Sequence, residues 1–161
     1  MKFLIITCAF LFTFPLFGQD IFRISDIEGV GRGSNPRTFV PFKNGFIFQA
    51  FVGQFGGTTA LYFDGNDQKV IPLKNEDTGE FLGGISSNTT ELENHIYFRS
   101  SEGGQQQLYK FDGKVTKMVV VNTQQSASSP LELITFNDHI VGSFIADTII
   151  GRAIYLSLIH I

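Results

Sequence analysis

The chain has 161 residues, of which 43% are hydrophobic and 17% are charged, and its formal net charge is −3. This mild acidic excess, together with the lack of any cluster among the 12 Lys and Arg residues, argues against a nucleic-acid partner. The charge is also too low, and the apolar content too high, for an intrinsically disordered chain.

The N-terminal segment has the pattern of a secretory signal peptide. Lys2 precedes an apolar run over residues 3–17, and Gly18 is followed by the polar pair Gln19-Asp20. We therefore predict a signal peptide over residues 1–18, cleaved near Gly18, and a secreted or cell-surface protein. The run is too short for a comfortable membrane span, so none is expected in the mature chain. A buried strand or an uncleaved anchor is the alternative.

The single cysteine, Cys8, lies inside this segment. Its removal leaves a mature chain without disulfides, thiol nucleophiles or cysteine metal sites. Such a chain is expected to depend on the burial of apolar side chains for its stability.

Three similar hairpins follow. In each, a short apolar strand leads through a polar turn into a second apolar strand, a pattern typical of β-hairpins. The turns are centred on Asn44-Gly45, Asn94 and Asp138, which lie 50 and 44 positions apart.

A second kind of hairpin carries an Asp-Gly turn. The segments Leu61-Tyr62-Phe63-Asp64-Gly65 and Leu108-Tyr109-Lys110-Phe111-Asp112-Gly113 each predict an apolar strand that ends in this turn, and their aspartates are 48 positions apart. Residues 69–73 and 114–118 are predicted to form the strands that follow. Polar connectors are predicted at residues 75–79 and 123–130.

A period of about 40–50 residues with four short strands in each unit is typical of a propeller blade. We predict an all-β fold, an incomplete β-propeller-like array of about three four-stranded antiparallel blades. The array spans residues 19–155, with units near 26–73, 74–118 and 119–155. Residues 21–27 are predicted to pair with the last blade. No segment sustains the apolar spacing of a helix.

The order of these motifs resembles that of the ELWxxDGT-repeat proteins. The resemblance is carried by Asp26-Ile27-Glu28-Gly29, by Gly33-Ser34-Asn35-Pro36, and by Leu108-Tyr109-Lys110-Phe111-Asp112-Gly113, in which Tyr109 stands in place of Trp. It covers residues 26–155. It implies a secreted, bacterial, β-propeller-like repeat protein, and it brings no catalytic residues to this chain.

The last six residues, 156–161, look like the in-frame translation of a sequencing-library adaptor. They interrupt the third unit after Tyr155, where an Asp-Gly turn is expected. We therefore predict that this segment is an artefact and that the reading frame is truncated. A natural terminal strand is the alternative, since apolar ends also tie down chain termini.

No catalytic, cofactor-binding or metal-binding residue is predicted, and no cofactor is expected. His95 and His139 occupy matching turn positions without a second ligand at suitable spacing. Glu91, Glu93 and Glu102 would serve glycoside hydrolysis only if they lay close together in space. The positions singled out are structural turn residues: Asn44, Gly45, Asp64, Gly65, Asn94, Asp112, Gly113 and Asp138.

These patterns favour a non-catalytic secreted or cell-surface repeat protein whose loops bind glycan or protein partners. The alternative is the propeller part of an extracellular polysaccharide-degrading enzyme, a lyase or glycosidase, with its catalytic residues outside this fragment. A channel lined by carboxylates or histidines would favour the enzyme. A spacer between other domains is a third hypothesis. An array of this size is also expected to expose an apolar blade face at one end or both.

Overall fold

The computed structural model of the protein describes residues 34–120, 130–147 and 151–157, and it describes residues 144–147 and 151–157 by their backbone only. The predicted signal peptide, the predicted strand at residues 21–27, most of the connector at residues 123–130 and the last four residues lie outside the described residues.

The described chain is built from strands. They are β1 (Arg37–Phe42), β2 (Gly45–Val52), β3 (Gly57–Asp64), β4 (Lys69–Pro72), β5 (Thr89–Leu92), β6 (His95–Glu102), β7 (Gln105–Phe111), β8 (Thr116–Met118), β9 (Leu133–Phe136), β10 (His139–Asp147) and β11 (Gly151–Ser157). A single 3-10 turn, Gly53–Phe55, joins β2 to β3. No helix in the described part of the chain is long and apolar enough to cross a membrane.

The strands form three antiparallel sheets in which chain neighbours pair. Sheet 1 has the order β1-β2-β3-β4, sheet 2 has the order β5-β6-β7-β8, and sheet 3 contains β9, β10 and β11 with β10 in the centre. The prediction of an all-β fold with four-stranded antiparallel sheets is therefore confirmed for the described residues. These residues do not close a ring.

The first hairpin of each sheet has a two-residue turn. Glu93 and Asn94 have φ angles of 49° and 62°, and Asn137 and Asp138 have φ angles of 46° and 59°. Two successive residues in the left-handed region match the right-handed twist of the flanking strands, and Asn and Asp tolerate that region better than most residues. Local sequence chemistry thus accounts for the position of these turns.

The aspartate of each Asp-Gly turn caps the backbone that follows it. A carboxylate oxygen of Asp64 accepts a hydrogen bond from the Asn66 amide at 2.9 Å. In sheet 2, Asp112 Oδ1 accepts hydrogen bonds from the amides of Lys114 and Val115, each at 2.8 Å. Those two amides are withdrawn from the strand ladder, so β8 begins at Thr116 and not at Lys114 as predicted.

Two glycines allow the turns of sheet 1 to touch. A Cβ on Gly45 would collide with the carbonyl oxygen of Phe63, and a Cβ on Gly65 would collide with that of Asn44. Both obstacles are backbone atoms, which cannot rotate away as a side chain would. The turn from β1 to β2 and the turn from β3 to β4 therefore lie against each other at the same end of the strands of sheet 1.

The sheets pack face to face through alternating side chains. Ile96 and Phe98 of β6 point toward sheet 1, where they join a cluster that includes Ile47, Tyr62 and Phe111. Tyr97, between them, points toward sheet 3 and packs in a second cluster with Leu108, Leu133 and Ile140. Because sheet 2 is covered on both faces, three consecutive large apolar residues are buried along one strand.

The outer face of sheet 3 is less covered. Phe42 and Leu92, the last residues of β1 and β5, are buried. Phe136, the last residue of β9, is 60% exposed, and Ile134 on the same strand is 58% exposed. Two large apolar side chains of β9 are therefore exposed.

The connector from β4 to β5 is partly buried, although residues 76–79 of its polar part are exposed. Asn75 is only 1% exposed. It forms a parallel bridge with Thr116, and its backbone amide donates a hydrogen bond to the Glu80 carbonyl at 3.0 Å. Leu82 and Ile85 join the core between sheets 1 and 2. Burial of these two side chains holds the polar part of the connector against the protein.

Candidate functional site

The main candidate site is a polar cleft where the connector passes between sheets 1 and 2. Its volume is about 300 Å³. It is bordered by two arginines and by side chains that carry hydroxyl or amide groups: Arg37, Arg99, Gln49, Gln106, Thr58, Ser86, Ser100 and Ser101. We call this site the arginine cleft.

The wall from sheet 1 is set by strand register. Arg37 opens β1 and lies opposite Gln49 of β2. The Gln49 amide donates a hydrogen bond to the Thr38 hydroxyl at 2.8 Å, which fixes its side chain across the sheet. Thr58 follows on the neighbouring strand β3, where it pairs with Phe51.

The wall from sheet 2 is held by the connector. The Gly83 amide donates to the Ser101 carbonyl at 2.7 Å, and the Ser86 amide donates to the Arg99 carbonyl at 3.0 Å. The Ser100 hydroxyl in turn donates to the Gly83 carbonyl at 3.2 Å. These bonds continue the ladder of β6 beyond the start of β5, so Arg99 and Ser101 have a fixed backbone.

A glycine makes the narrow passage possible. A Cβ on Gly84 would collide with the side-chain oxygen of Gln49. Any larger residue at this position would displace Gln49 from the wall. Absence of a side chain at Gly84 thus keeps the connector close to sheet 1 and leaves the cleft open.

The charge of the cleft is positive. None of its described lining residues is acidic. Within the described part of the chain, neither the Arg37 nor the Arg99 guanidinium forms an ion pair or a hydrogen bond with another side chain. Arg37 is exposed and Arg99 is half-buried. Both groups are therefore available to a ligand.

A second cleft, of about 290 Å³, lies at the other end of the strands of sheet 2. It carries charges of both signs, and several are already paired. Lys117 forms an ion pair with Glu76 at 2.9 Å. Asp112 is partly desolvated, which raises a carboxyl pKa, but the amides of Val115 and Lys114 and the charges of His95 and Lys43 outweigh this and lower its pKa. Several charged groups of this cleft are therefore already bonded to other groups of the protein.

The eight turn residues singled out from the sequence all lie at this other end of the strands in their sheets. Asn44, Asn94 and Asp138 lie in the first hairpin turn of their sheets, whereas Asp64 and Asp112 end or follow the third strands of sheets 1 and 2. Gly45 begins β2, Gly65 follows β3, and Gly113 has a φ of 99°. The arginine cleft lies at the opposite end of the strands, because neighbouring strands run in opposite directions and Arg37 and Arg99 are far along their strands from these turns.

The two turn histidines act locally. His95 Nδ1 is 2.9 Å from the Glu93 carbonyl oxygen, two residues earlier, and His139 Nδ1 makes the equivalent hydrogen bond to the Asn137 carbonyl. Each ring therefore closes its own hairpin turn, on a different sheet. Among the described residues, no group of three His, Cys, Asp or Glu side chains is placed to hold a metal ion.

Glu102 does not form a catalytic pair with either Glu91 or Glu93. Glu93 precedes the first residue of β6 and Glu102 is its last, so at about 3.3 Å per residue more than about 20 Å separates them. Glycosidase carboxyl groups are roughly 5–9.5 Å apart. Glu91, opposite Ile96 near the start of β6, is also far from Glu102.

Glu102 is instead the centre of a hydrogen-bond network. Its Oε2 accepts from the Tyr109 hydroxyl at 2.7 Å and from the Asn75 amide at 2.9 Å, and its Oε1 accepts from the Thr78 hydroxyl. Burial alone would raise the pKa of Glu102, but hydrogen bonds from Thr78, Tyr109 and Asn75 hold it below its ordinary value. A carboxylate in this state does not serve as a general acid near neutral pH.

Sequence reasoning missed the arginine cleft. Arg37 and Arg99 are isolated in the chain, in units that are far apart in sequence, and neither belongs to a motif. The weak signal available was the pair Gly83-Gly84 between a polar connector and a strand, since paired glycines often mark close backbone approach. A scan against models of known families found no match to this chain, and searches of curated proteins and of solved structures found none either.

Proposed function

We propose that this chain belongs to a non-catalytic, secreted or cell-surface protein with β-propeller-like repeats, and that it binds glycans in the arginine cleft. The observation that carries the proposal is the lining of this cleft. Hydroxyl, amide and guanidinium groups converge there from two sheets and a connector, and no acidic side chain is among the described lining residues.

The donor and acceptor groups suit a sugar. The Ser101 hydroxyl can donate or accept a hydrogen bond, and the Ser86 hydroxyl, which accepts from the Asn88 amide at 3.2 Å, can still donate. Sugars present hydroxyls in fixed directions, so several such groups around one cleft supply both affinity and orientation.

The same lining favours binding over catalysis. Glycoside hydrolysis requires two carboxyl groups on either side of the scissile bond. The described lining of the arginine cleft contains neither a carboxylate nor a histidine, and Glu102 is held ionised in its own network. We therefore place polysaccharide degradation second.

Support for the propeller-like architecture comes from the sheets. Sheets 1 and 2 share one strand order, similar hairpin turns and face-to-face packing, as neighbouring blades do. The proposed secreted or cell-surface localisation follows from the signal-peptide pattern of residues 1–18. Sequencing the N-terminus of secreted protein tests it, and a mature chain that begins at Gln19 is the expected result.

A glycan array followed by calorimetry with the purified protein tests the binding function. Thr58→Trp places a large ring in the arginine cleft from a half-buried position, and we expect it to weaken glycan binding at least about tenfold, about 1.4 kcal/mol. Lys69→Ala, an exposed change outside the cleft, is the control and should bind as the unchanged protein does.

Two results would contradict the proposal. Failure to retain any glycan, in a protein whose circular dichroism spectrum is that of a folded β protein, would remove the binding function. Release of new reducing ends or unsaturated sugars from a polysaccharide would favour the enzyme.

A further inference from the structure

We infer that the arginine cleft selects acidic glycans, in which a carboxylate or sulfate group binds between Arg37 and Arg99. This inference rests on the proposed function and adds the chemical class of the ligand. It is carried by the charge of the cleft and by the lack, among the described residues, of an acidic partner for its two guanidinium groups.

The positive charge is local to the cleft. The whole chain has a formal net charge of −3, so a site whose described lining contains two arginines and no acidic residue departs from the average surface. Glu102, the residue after the lining residue Ser101, is engaged with Tyr109 and Asn75. An anionic ligand would supply the missing counter-charge.

The arginines suit this role by geometry as well as charge. A guanidinium remains protonated at all ordinary pH values and presents a planar fork of donors that matches the two oxygens of a carboxylate or sulfate. Arg99 is half-buried, so its interaction with an anion is less screened by water than that of a fully exposed residue. Arg37 is exposed, so its side chain is free to close over the ligand.

The surrounding groups and the volume favour a sugar over a bare ion. Ser86 and Ser101 can offer hydrogen bonds to uncharged hydroxyls near the arginines. The volume of about 300 Å³ lies at the lower end of the range for small-molecule sites, and it is far larger than a sulfate ion needs. The ligand is therefore expected to carry both an anionic group and neutral hydroxyls.

Calorimetry with three oligosaccharide probes tests the inference. Oligogalacturonate carries carboxylates, oligosaccharides of carrageenan carry sulfate esters, and galacto-oligosaccharides carry neither. We expect one or both acidic probes to bind at least about tenfold more tightly than the neutral probe at about 0.15 M salt, because bidentate pairs to a charged acceptor are the stronger ones. The two acidic probes distinguish a carboxylate site from a sulfate site.

Substitutions then locate the binding. Arg37→Ala and Arg99→Ala should each lower the affinity for the preferred acidic probe at least about tenfold, and they should lower the affinity for the neutral probe by a smaller factor, because a hydrogen bond to a charged acceptor is the stronger one. Arg37→Lys and Arg99→Lys keep the charge but lose the fork, so their affinities should be intermediate. Lys69→Ala removes an exposed positive charge outside the cleft and is the control for general charge.

The outcomes separate the two proposals. Equal binding of acidic and neutral probes would overturn the inference and leave the proposed function intact, whereas no binding of any probe or array glycan would overturn both. Acidic binding that Lys69→Ala weakens as much as the arginine variants do would show a non-specific charge effect and overturn the inference. Equally tight binding of poly-glutamate would overturn it in favour of an acidic protein partner.

Discussion

Tyr109 donates its phenolic hydrogen to Glu102 across sheet 2 at 2.7 Å, while Tyr97, equally buried on the opposite face, has a hydroxyl with no hydrogen-bond partner. The two tyrosines lie on adjacent strands and share a burial environment of the same depth. They differ in whether the hydroxyl group is paired, and so they form a matched pair for experiment.

Tyr109→Phe should destabilise the protein by about 1–3 kcal/mol, because the buried side of Glu102 loses a donor. Tyr97→Phe should leave the free energy of unfolding within about 1 kcal/mol, with a stabilising sign, because it removes an unsatisfied buried hydroxyl. Equilibrium urea denaturation of both variants measures the difference. Equal changes in stability would show that the hydrogen bond from Tyr109 to Glu102 adds nothing to the stability of the protein.

The Glu102 network should make stability depend on pH in the acid range. Its pKa in the folded protein lies below the ordinary value of 4.5, so folding favours the ionised form. The stabilisation is fully present above pH 4.5 and is lost as pH falls through the lower pKa of the folded state. Urea denaturation at a series of pH values from neutral to acidic should show this fall.

Glu102→Gln is the variant that isolates this effect. It cannot ionise, so its stability should vary less between pH 5 and pH 3 than that of the unchanged protein, roughly in the range where carboxylates titrate. Asp112 also has a lowered pKa, so it should contribute to the pH dependence that remains in the variant. An unchanged slope in Glu102→Gln would assign the acid sensitivity to other groups.

Gly65 should tolerate no side chain. Gly65→Ala places a methyl group against the carbonyl oxygen of Asn44, so we expect a loss of about 1–3 kcal/mol, as in other overpacked sites. Gly57→Ala is the control, since no atom lies within 4 Å of its added Cβ and its φ is not in the left-handed region. That control should be neutral or stabilise by up to about 1 kcal/mol. Similar stabilities for the two variants would refute the close contact between the turns of sheet 1.

Asp112 should stabilise its turn as an acceptor. Asp112→Ala removes the oxygen that accepts from the Lys114 and Val115 amides, and we expect a loss of about 1–3 kcal/mol. Asp112→Asn keeps one acceptor oxygen and should lose less than half as much. Asp67→Ala, an exposed change in the matching turn of sheet 1, should remain within about 0.5 kcal/mol. If Asn and Ala at position 112 cost the same, charge and not the acceptor is the stabilising feature.

Local elements of the fold could be predicted because their causes are local. The turns at Asn94 and Asp138 follow from two residues that tolerate the left-handed region between alternating apolar strands. The start of β8 was predicted two residues early, because the pattern of residues 114–118 does not show that Asp112 captures two of their amides.

The same division holds for the candidate site. Apolar periodicity and the positions of Asn and Asp could be read from the chain alone, because each depends on neighbours in sequence. They determined an all-β protein with repeated hairpins. The acidic net charge needs only a count of residues. Only the tertiary structure brings Arg37 and Arg99 to one cleft and buries Asn75 against Glu102. Arg37 and Arg99 are 62 positions apart, and Asn75 and Glu102 are 27 positions apart. The packing between sheets decides which residues meet, and no local pattern encodes it.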